Sequence, residues 1–242
     1  MRRFLIDKPA ETGMIYTIEG PDAKHIKNVL RMIPGDDIWL FNGTGSEFKA
    51  CIRTIDATSI DVEIIETLSS ASEPPIHITV GQAFLKDKKM DTLLRQLTEI
   101  GITQWQPVMA ERSVPKLDSK KIKSRVARWQ TIAKESLKQC ERGWLPEILP
   151  PVSFDEILNI GNTFDLKIMF TDKNETPLNK SVLKNPSRIL VMLGPEGGFT
   201  PHEIEKAQNN GFISAGLGPR ILKADTASVA ACAIIQHIIG DM

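Results

Sequence analysis

The stretch Ile189-Leu190-Val191-Met192-Leu193-Gly194-Pro195-Glu196-Gly197-Gly198-Phe199-Thr200-Pro201-His202-Glu203 decides the fold. A five-residue apolar run, the mark of a buried strand, ends in a glycine-rich turn. Thr200, Pro201 at the first helical position and Glu203 three residues after the threonine then form a capping box that opens a helix. Three glycines within five positions allow positive φ and close backbone approach, and the C-terminal ends of strands in open α/β sheets are where ligands bind. A tight connection without a ligand is the plain alternative.

On either side of this unit strands alternate with helices, which predicts a mostly parallel α/β sheet. Strands are expected at 76–83, 105–109, 166–171, 189–193 and 212–217. Helices are expected at 90–100, stopped by Gly101, and at 201–210 and 227–239. A long helix at 119–141 carries Ile122, Val126, Trp129, Ile132 and Ala133 on one side, before Gly143 and Pro146 end it.

A second loop, Leu217-Gly218-Pro219-Arg220-Ile221-Leu222-Lys223-Ala224-Asp225-Thr226-Ala227, also leads from strand to helix, with Asp225 or Thr226 as its cap. Two such loops in adjacent units can line one cleft. Arg220, between a Gly-Pro turn and an apolar pair, is either a surface charge or a cation awaiting a carboxylate or phosphate.

Small polar residues and a proline pair at 67–75 mark a boundary between a domain at 1–70 and another at 74–242. The first is mostly strand, at 37–41, 47–55 and 59–65 with an Asn42-Gly43 turn, and predicts a small β-barrel or sandwich. One helix interrupts it, with Asp22 as cap, Ile26, Val29, Leu30 and Ile33 as the buried stripe, and Lys24, Lys27 and Arg31 on another face.

The 242 residues are 41% hydrophobic and 25% charged with a formal net charge of zero, which excludes disordered, collagenous and coiled-coil classes. Three separated cysteines support neither a disulfide framework nor a zinc ribbon, and no metal is expected. Asp7 breaks the first apolar run, and 227–239 is too short to span a bilayer, so a soluble cytoplasmic protein is expected. Neither a P-loop nor a G-x-G-x-x-G fingerprint is present.

With both loops in view, the chain resembles the bacterial 16S ribosomal RNA (uracil-N3) methyltransferase family of the SPOUT superfamily. Leu193-Gly-Pro-Glu-Gly-Gly-Phe199 and Leu217-Gly-Pro-Arg-Ile-Leu222 with Thr226-Ala227 match the family's two cofactor-loop motifs. Supporting matches include Lys89-Met90-Asp91 with Glu99-Ile100-Gly101, Glu111-Arg112-Ser113, Arg128-Trp129-Gln130 and Gln139-Cys140 with Arg142. The chain departs from the family at Lys223-Ala224-Asp225-Thr226 and at Arg95-Gln96.

The resemblance implies a PUA-like β-barrel for RNA in front of a trefoil-knotted α/β domain that binds S-adenosylmethionine and works as a homodimer. The knot lies beyond any residue-level reading, since chains as a rule do not thread loops. Thr171, Leu193, Gly194, Gly197, Gly198, Leu217, Gly218, Arg220, Leu222 and Thr226 are the expected cofactor residues. Methylation of uracil N3 requires loss of its proton and stabilisation of charge on the flanking carbonyls. Arg220 is the candidate for the charge, and Glu196 and Asp225 for the proton, either of which has a structural role as its alternative.

Charge is unevenly spread: between Arg112 and Arg142 ten basic residues face three acids. Such a stripe suits a ribosomal RNA partner, with Arg31, Arg112, Lys120, Lys121, Arg125 and Arg142 as candidate phosphate contacts. An ordinary solvated helix face is the alternative. A single tyrosine and few aromatics argue against recognition mainly by stacking. A phosphate-binding enzyme using the glycine loop as an anion site, or a catalytically silent RNA-binding module, are the competing functions.

Overall fold

The computed structural model describes residues 3–8, 10–69, 75–86, 88–114, 119–171, 178, 183 and 186–242, without the side chains of 69 and 119–121. It divides into two compact units, Met1–Glu73 with Leu137–Leu145, and Pro74–Ser136 with Pro146–Met242. The first unit thus takes in a segment that a single break near 70 assigns to the second. The residues around that break, 70–74, lie outside the described ones.

In the first unit, β1 (Arg3–Leu5), β2 (Ile15–Glu19), β3 (Asp37–Phe41), β4 (Ser46–Ile55) and β5 (Ser59–Ser69) form one sheet in the order β1-β3-β4-β5-β2. The β1–β3 pair is parallel and the others antiparallel. Period-two alternation decides its face: Phe48, Ala50 and Ile52 of β4 and Ile60, Val62 and Ile64 of β5 are buried in one core with Ile38 and Leu40. Register shifts between Lys49/Ala50 and Ile52/Thr54 bend the long β4–β5 ribbon.

The helix here differs from expectation. The α-helical part α1 (Gly20–Lys24) is short and continues as a π-helix, His25–Val29. Its N-cap is Glu19, with Pro21 in the first turn, so Asp22 does not cap it; Asp22 instead pairs with Lys138 at 3.0 Å. Leu30 N–H donates to the His25 carbonyl, five residues back, and Arg31 takes a left-handed φ of 52°. The wider turn moves later residues off the 3.6-residue period. Ile26 is buried as expected, but Val29 and Ile33 are 66% and 64% exposed, and Met32 turns inward instead. Arg31, outside the helix, does not extend a face with Lys24 and Lys27.

The second unit holds β6 (His77–Ala83), β7 (Gln104–Met109), β8 (Glu147–Ile148), β9 (Val152–Ser153), β10 (Leu166–Phe170), β11 (Arg188–Leu193) and β12 (Ile213–Ala215). The order is β12-β10-β11-β6-β7-β8, with β9 also on β7, and all these pairs are parallel. Ile189 to Leu193 are all buried, the mark of a parallel strand covered on both faces.

The covering helices are α2 (Lys89–Ile100), α3 (Ser119–Cys140), α4 (Phe154–Ile160), α5 (Pro201–Asn209) and α6 (Ala224–Ile239). Gly101, at φ 99°, ends α2, and Trp129 of α3 is buried against Phe84. The Thr200–Glu203 capping box opens α5 with both of its hydrogen bonds present. Helix α6 starts three residues earlier than expected, with Lys223 as an N-cap that makes no side-chain hydrogen bond. Asp225 and Thr226 therefore lie inside its first turn and cap nothing. Among the described residues, no helix is long and apolar enough to cross a membrane.

Candidate active site

Because β12, β10 and β11 are neighbours and parallel, the loops that follow them emerge at one edge of the sheet. They enclose a cleft lined by Thr171 after β10, by Leu193, Gly194, Glu196 and Gly198 after β11, and by Leu217, Gly218, Arg220 and Leu222 after β12. Apart from Gly197 and Thr226, every expected cofactor residue lines this cleft. Thr226 is exposed on α6, and Gly197 faces Arg112.

The glycines serve different ends. Gly198 and Gly218 have φ of 66° and 95°, and a Cβ at either would meet no protein atom within 4 Å. Their requirement is therefore conformational. At Gly194 a Cβ would come within 3.3 Å of the Phe199 ring, because the turn folds back on itself there.

Two polar clusters fix the glycine turn. Gln82, fully buried on β6, accepts a 2.7 Å hydrogen bond from Ser228 of α6, while its amide donates to the Ala83 carbonyl at 3.0 Å and reaches that of Gly194 at 3.4 Å. The second cluster comes from the loop after β7. Glu111 N–H donates to the Glu203 carboxylate at 2.9 Å, Thr200 Oγ1 donates to Glu111 Oε2 at 3.2 Å, and Arg112 Nη1 donates to the Gly197 carbonyl at 2.8 Å. Glu203, only 5% exposed, is satisfied by this arrangement. The Glu111-Arg112-Ser113 match marked the segment in the sequence, whereas a lone glutamine in an apolar strand gave no signal for Gln82.

Charge at the rim is set by Glu196. Its carboxylate accepts from Lys89 Nζ at 3.0 Å and from Lys86 N–H at 3.2 Å. Burial pushes this carboxyl up, but the Lys89 hydrogen bond, the backbone N–H donors and the Lys89 charge together hold it below the usual carboxylate range. The Lys89 ammonium is held above its ordinary range, chiefly by the Glu196 hydrogen bond and in part by the charge of Asp225. Arg220 is exposed and, among the described residues, makes no ion pair. Neighbouring Ile221 is 83% exposed.

Two buried oxygens, Thr171 Oγ1 in the cleft and Asp225 Oδ1 outside its lining, have no hydrogen-bond partner among the described residues. Such atoms are costly unless a ligand or water meets them. A cleft with leucine walls, a glycine turn and an unmet hydroxyl fits a ligand that combines an apolar ring with polar groups.

The candidate RNA contacts are distributed over both units. Arg31 is exposed on the first, as part of the turn after the π-helix, and there the Arg142 carbonyl accepts from Arg3 at 2.9 Å. On the second, Arg112 is tied to the glycine turn and Arg125 borders a separate basic cleft. The Lys120 and Lys121 side chains lie outside the described residues.

Comparison with known proteins agrees with this architecture. An RNA methyltransferase domain family matches residues 72–236, and an RNA methyltransferase PUA domain family matches residues 18–65. The α/β fold is therefore preceded by a PUA-like domain. Ribosomal RNA small subunit methyltransferase E of Bacillus subtilis is 31% identical, over 98% of this chain and 96% of its own. A ribosomal RNA small subunit methyltransferase E from Neisseria gonorrhoeae, solved bound to S-adenosylmethionine, is 31% identical with a TM-score of 0.91, covering 100% of this chain and 99% of that one. A Legionella pneumophila protein solved with bound S-adenosylmethionine is 28% identical, with a TM-score of 0.92 over 100% and 99% of the two chains. The chain belongs to the ribosomal RNA small subunit methyltransferase E family of RNA methyltransferases.

Proposed function

We propose that the protein transfers a methyl group from S-adenosylmethionine to N3 of a uridine in 16S ribosomal RNA. The observation that carries this reading is the three-loop cleft at the ends of β12, β10 and β11, with its glycine turn and a Thr171 hydroxyl that no described residue meets, in a fold whose relatives are solved with S-adenosylmethionine. When bound, S-adenosylmethionine supplies an electrophilic methyl carbon. Leu193, Leu217 and Leu222 would wall its apolar part, and the backbone at Gly194, Gly198 and Gly218 would let it approach without side chains in the way.

Arg220 brings a permanent cation to the rim, where negative charge develops on the uracil carbonyls as N3 loses its proton. Glu196, held ionised by Lys89, is a weak base, so its role is to position Lys89 and the glycine turn. Asp225, in the first turn of α6 beside the cleft-lining Ala224, keeps one oxygen without a partner among the described residues and is the carboxylate left as candidate for the proton, although it does not itself line the cleft. Residues 1–70 serve as the RNA-binding domain and 74–242 as the methyltransferase domain. The family resemblance supports a trefoil knot in the second domain, a homodimer in which one subunit presents RNA to the other, and a cytoplasmic site of action. Ile234, 37% exposed on α6, is consistent with an interface on that helix.

The test combines calorimetric titration of S-adenosylmethionine with single-turnover methylation of small ribosomal subunits that lack the modification. Stoichiometric binding and a methyl group at uridine N3 are the expected results. Absence of cofactor binding with RNA affinity retained would leave the silent RNA-binding module as the function.

A further inference from the structure

A second cleft in the same unit lies between the start of α2 and the middle of α3. Lys86, Lys88 and Lys89 border it on one side, and Arg125 and Arg128, three residues apart and so on one helix face, border it on the other. Its floor is apolar, formed by Met90 and Trp129, which are only 1% exposed.

Among the described residues, the two carboxylates that touch the cleft's side chains, Asp91 and Glu196, are already engaged. Asp91 accepts from the Trp129 indole at 3.1 Å with one oxygen and pairs with Arg128 at 2.5 Å through the other. Glu196 pairs with Lys89. Among the described residues, Lys86, Lys88 and Arg125 have no ion-pair partner. Around one concavity, these three cations without an ion pair among the described residues form an anion site.

Its position relative to the cofactor cleft gives it meaning. Lys89 lines the basic cleft, Glu196 lines the cofactor cleft, and their side chains are in direct contact at 3.0 Å. An anion seated beside Lys86 and Lys88 is therefore one ion pair away from the methyl-transfer site. Resting on the methyltransferase reading above, we propose that this cleft seats a backbone phosphate of the RNA strand beside the target uridine. Phosphate contacts of this kind fix the register of a strand without reading its bases. Lys88 and Arg125 hold the phosphate, and Lys89, bound to Glu196, ties that register to the glycine turn.

The experiment compares wild type with Lys88→Ala/Arg125→Ala and with the charge-preserving Lys88→Arg/Arg125→Lys, using purified small subunits as probe at several salt concentrations. In the alanine variant, thermal stability and S-adenosylmethionine affinity remain at wild-type values. Subunit affinity falls on the order of tenfold or more, and the dependence of log affinity on log salt becomes shallower by about two. KM for subunits rises more than kcat falls, and the charge-preserving variant restores most of the affinity. An active wild type together with an alanine variant of unchanged affinity and salt slope overturns the cleft assignment alone. A wild type that neither binds cofactor nor methylates subunits overturns the methyltransferase reading, and this inference with it. Equal losses for subunits and for an acidic polypeptide, without a change in salt slope for RNA, also overturn it in favour of a protein partner.

Discussion

Ser228 on α6 donates a 2.7 Å hydrogen bond to Oε1 of Gln82 on β6, with both residues fully buried. Through the Gln82 amide this single contact reaches the carbonyl of Gly194, so the glycine turn after β11 and the start of α6 are held by one side chain. Gln82→Leu leaves buried polar groups unmet and is expected to destabilise the protein by about 1–3 kcal/mol and weaken cofactor binding severalfold. Chemical denaturation and calorimetry measure both. Adding Ser228→Ala should cost less than the two single changes summed, since they break one network.

Gly198 occupies φ 66°, with open space where a Cβ would stand. Gly198→Val is therefore expected to fail by conformation rather than by collision within the protein, at a cost of about 1–2 kcal/mol. Gly198→Asn, which tolerates the left-handed region, should retain more cofactor affinity than the valine variant. Equal affinities for the two in titration would contradict a conformational role.

The depressed carboxyl of Glu196 favours the folded state while it is ionised. That contribution is complete above its unfolded value, near 4.5, and is lost as pH falls through the lower folded value. Glu196→Gln should therefore narrow the loss of thermal stability on acidification below about pH 5 and leave stability nearly unaltered at about pH 7, where the exposed pair contributes little. Melting curves across that range show it.

Arg220, exposed beside the cleft without an ion pair among the described residues, is free to meet a developing anion. Arg220→Ala is expected to lower single-turnover methylation by roughly a hundredfold or more while cofactor affinity changes little. Asp225→Asn should lower the rate further than Glu196→Gln does. A wild-type rate for Arg220→Ala removes it from the mechanism.

Burial pushes the Cys232 thiol up to about 12, whereas Cys51 and Cys140 are half-buried. At about pH 8, alkylation of the native protein should label Cys51 and Cys140 and spare Cys232. Labelling of Cys232, followed by mass spectrometry, should track global unfolding.

Local rules made part of this molecule readable. The Thr200–Glu203 box, the Gly101 stop and the apolar run of β11 are each decided within a few residues of chain, and each stands in the structure as expected. The stripe from Ile26 to Ile33 failed because a π turn changes the helical period, which side-chain patterning does not encode. Asp225 carried the chemistry of a cap, but Lys223 starts the helix, leaving the carboxylate inside the first turn. Gln82 and the basic cleft depend on strand order and helix placement, so residues far apart in sequence acquire their meaning only in the folded sheet.

That strand order also sets a clock. Strand β11 pairs with β6 along its whole length, yet more than a hundred residues of chain separate them. At roughly 5–20 residues per second of synthesis, β6 waits on the order of five to twenty seconds with the backbone N–H and C=O groups of one edge unpaired. Partners made so far apart in time also have a large loop to close, which slows the search. The nascent chain on the ribosome is therefore the form most open to aggregation, and the one for which chaperone protection matters most.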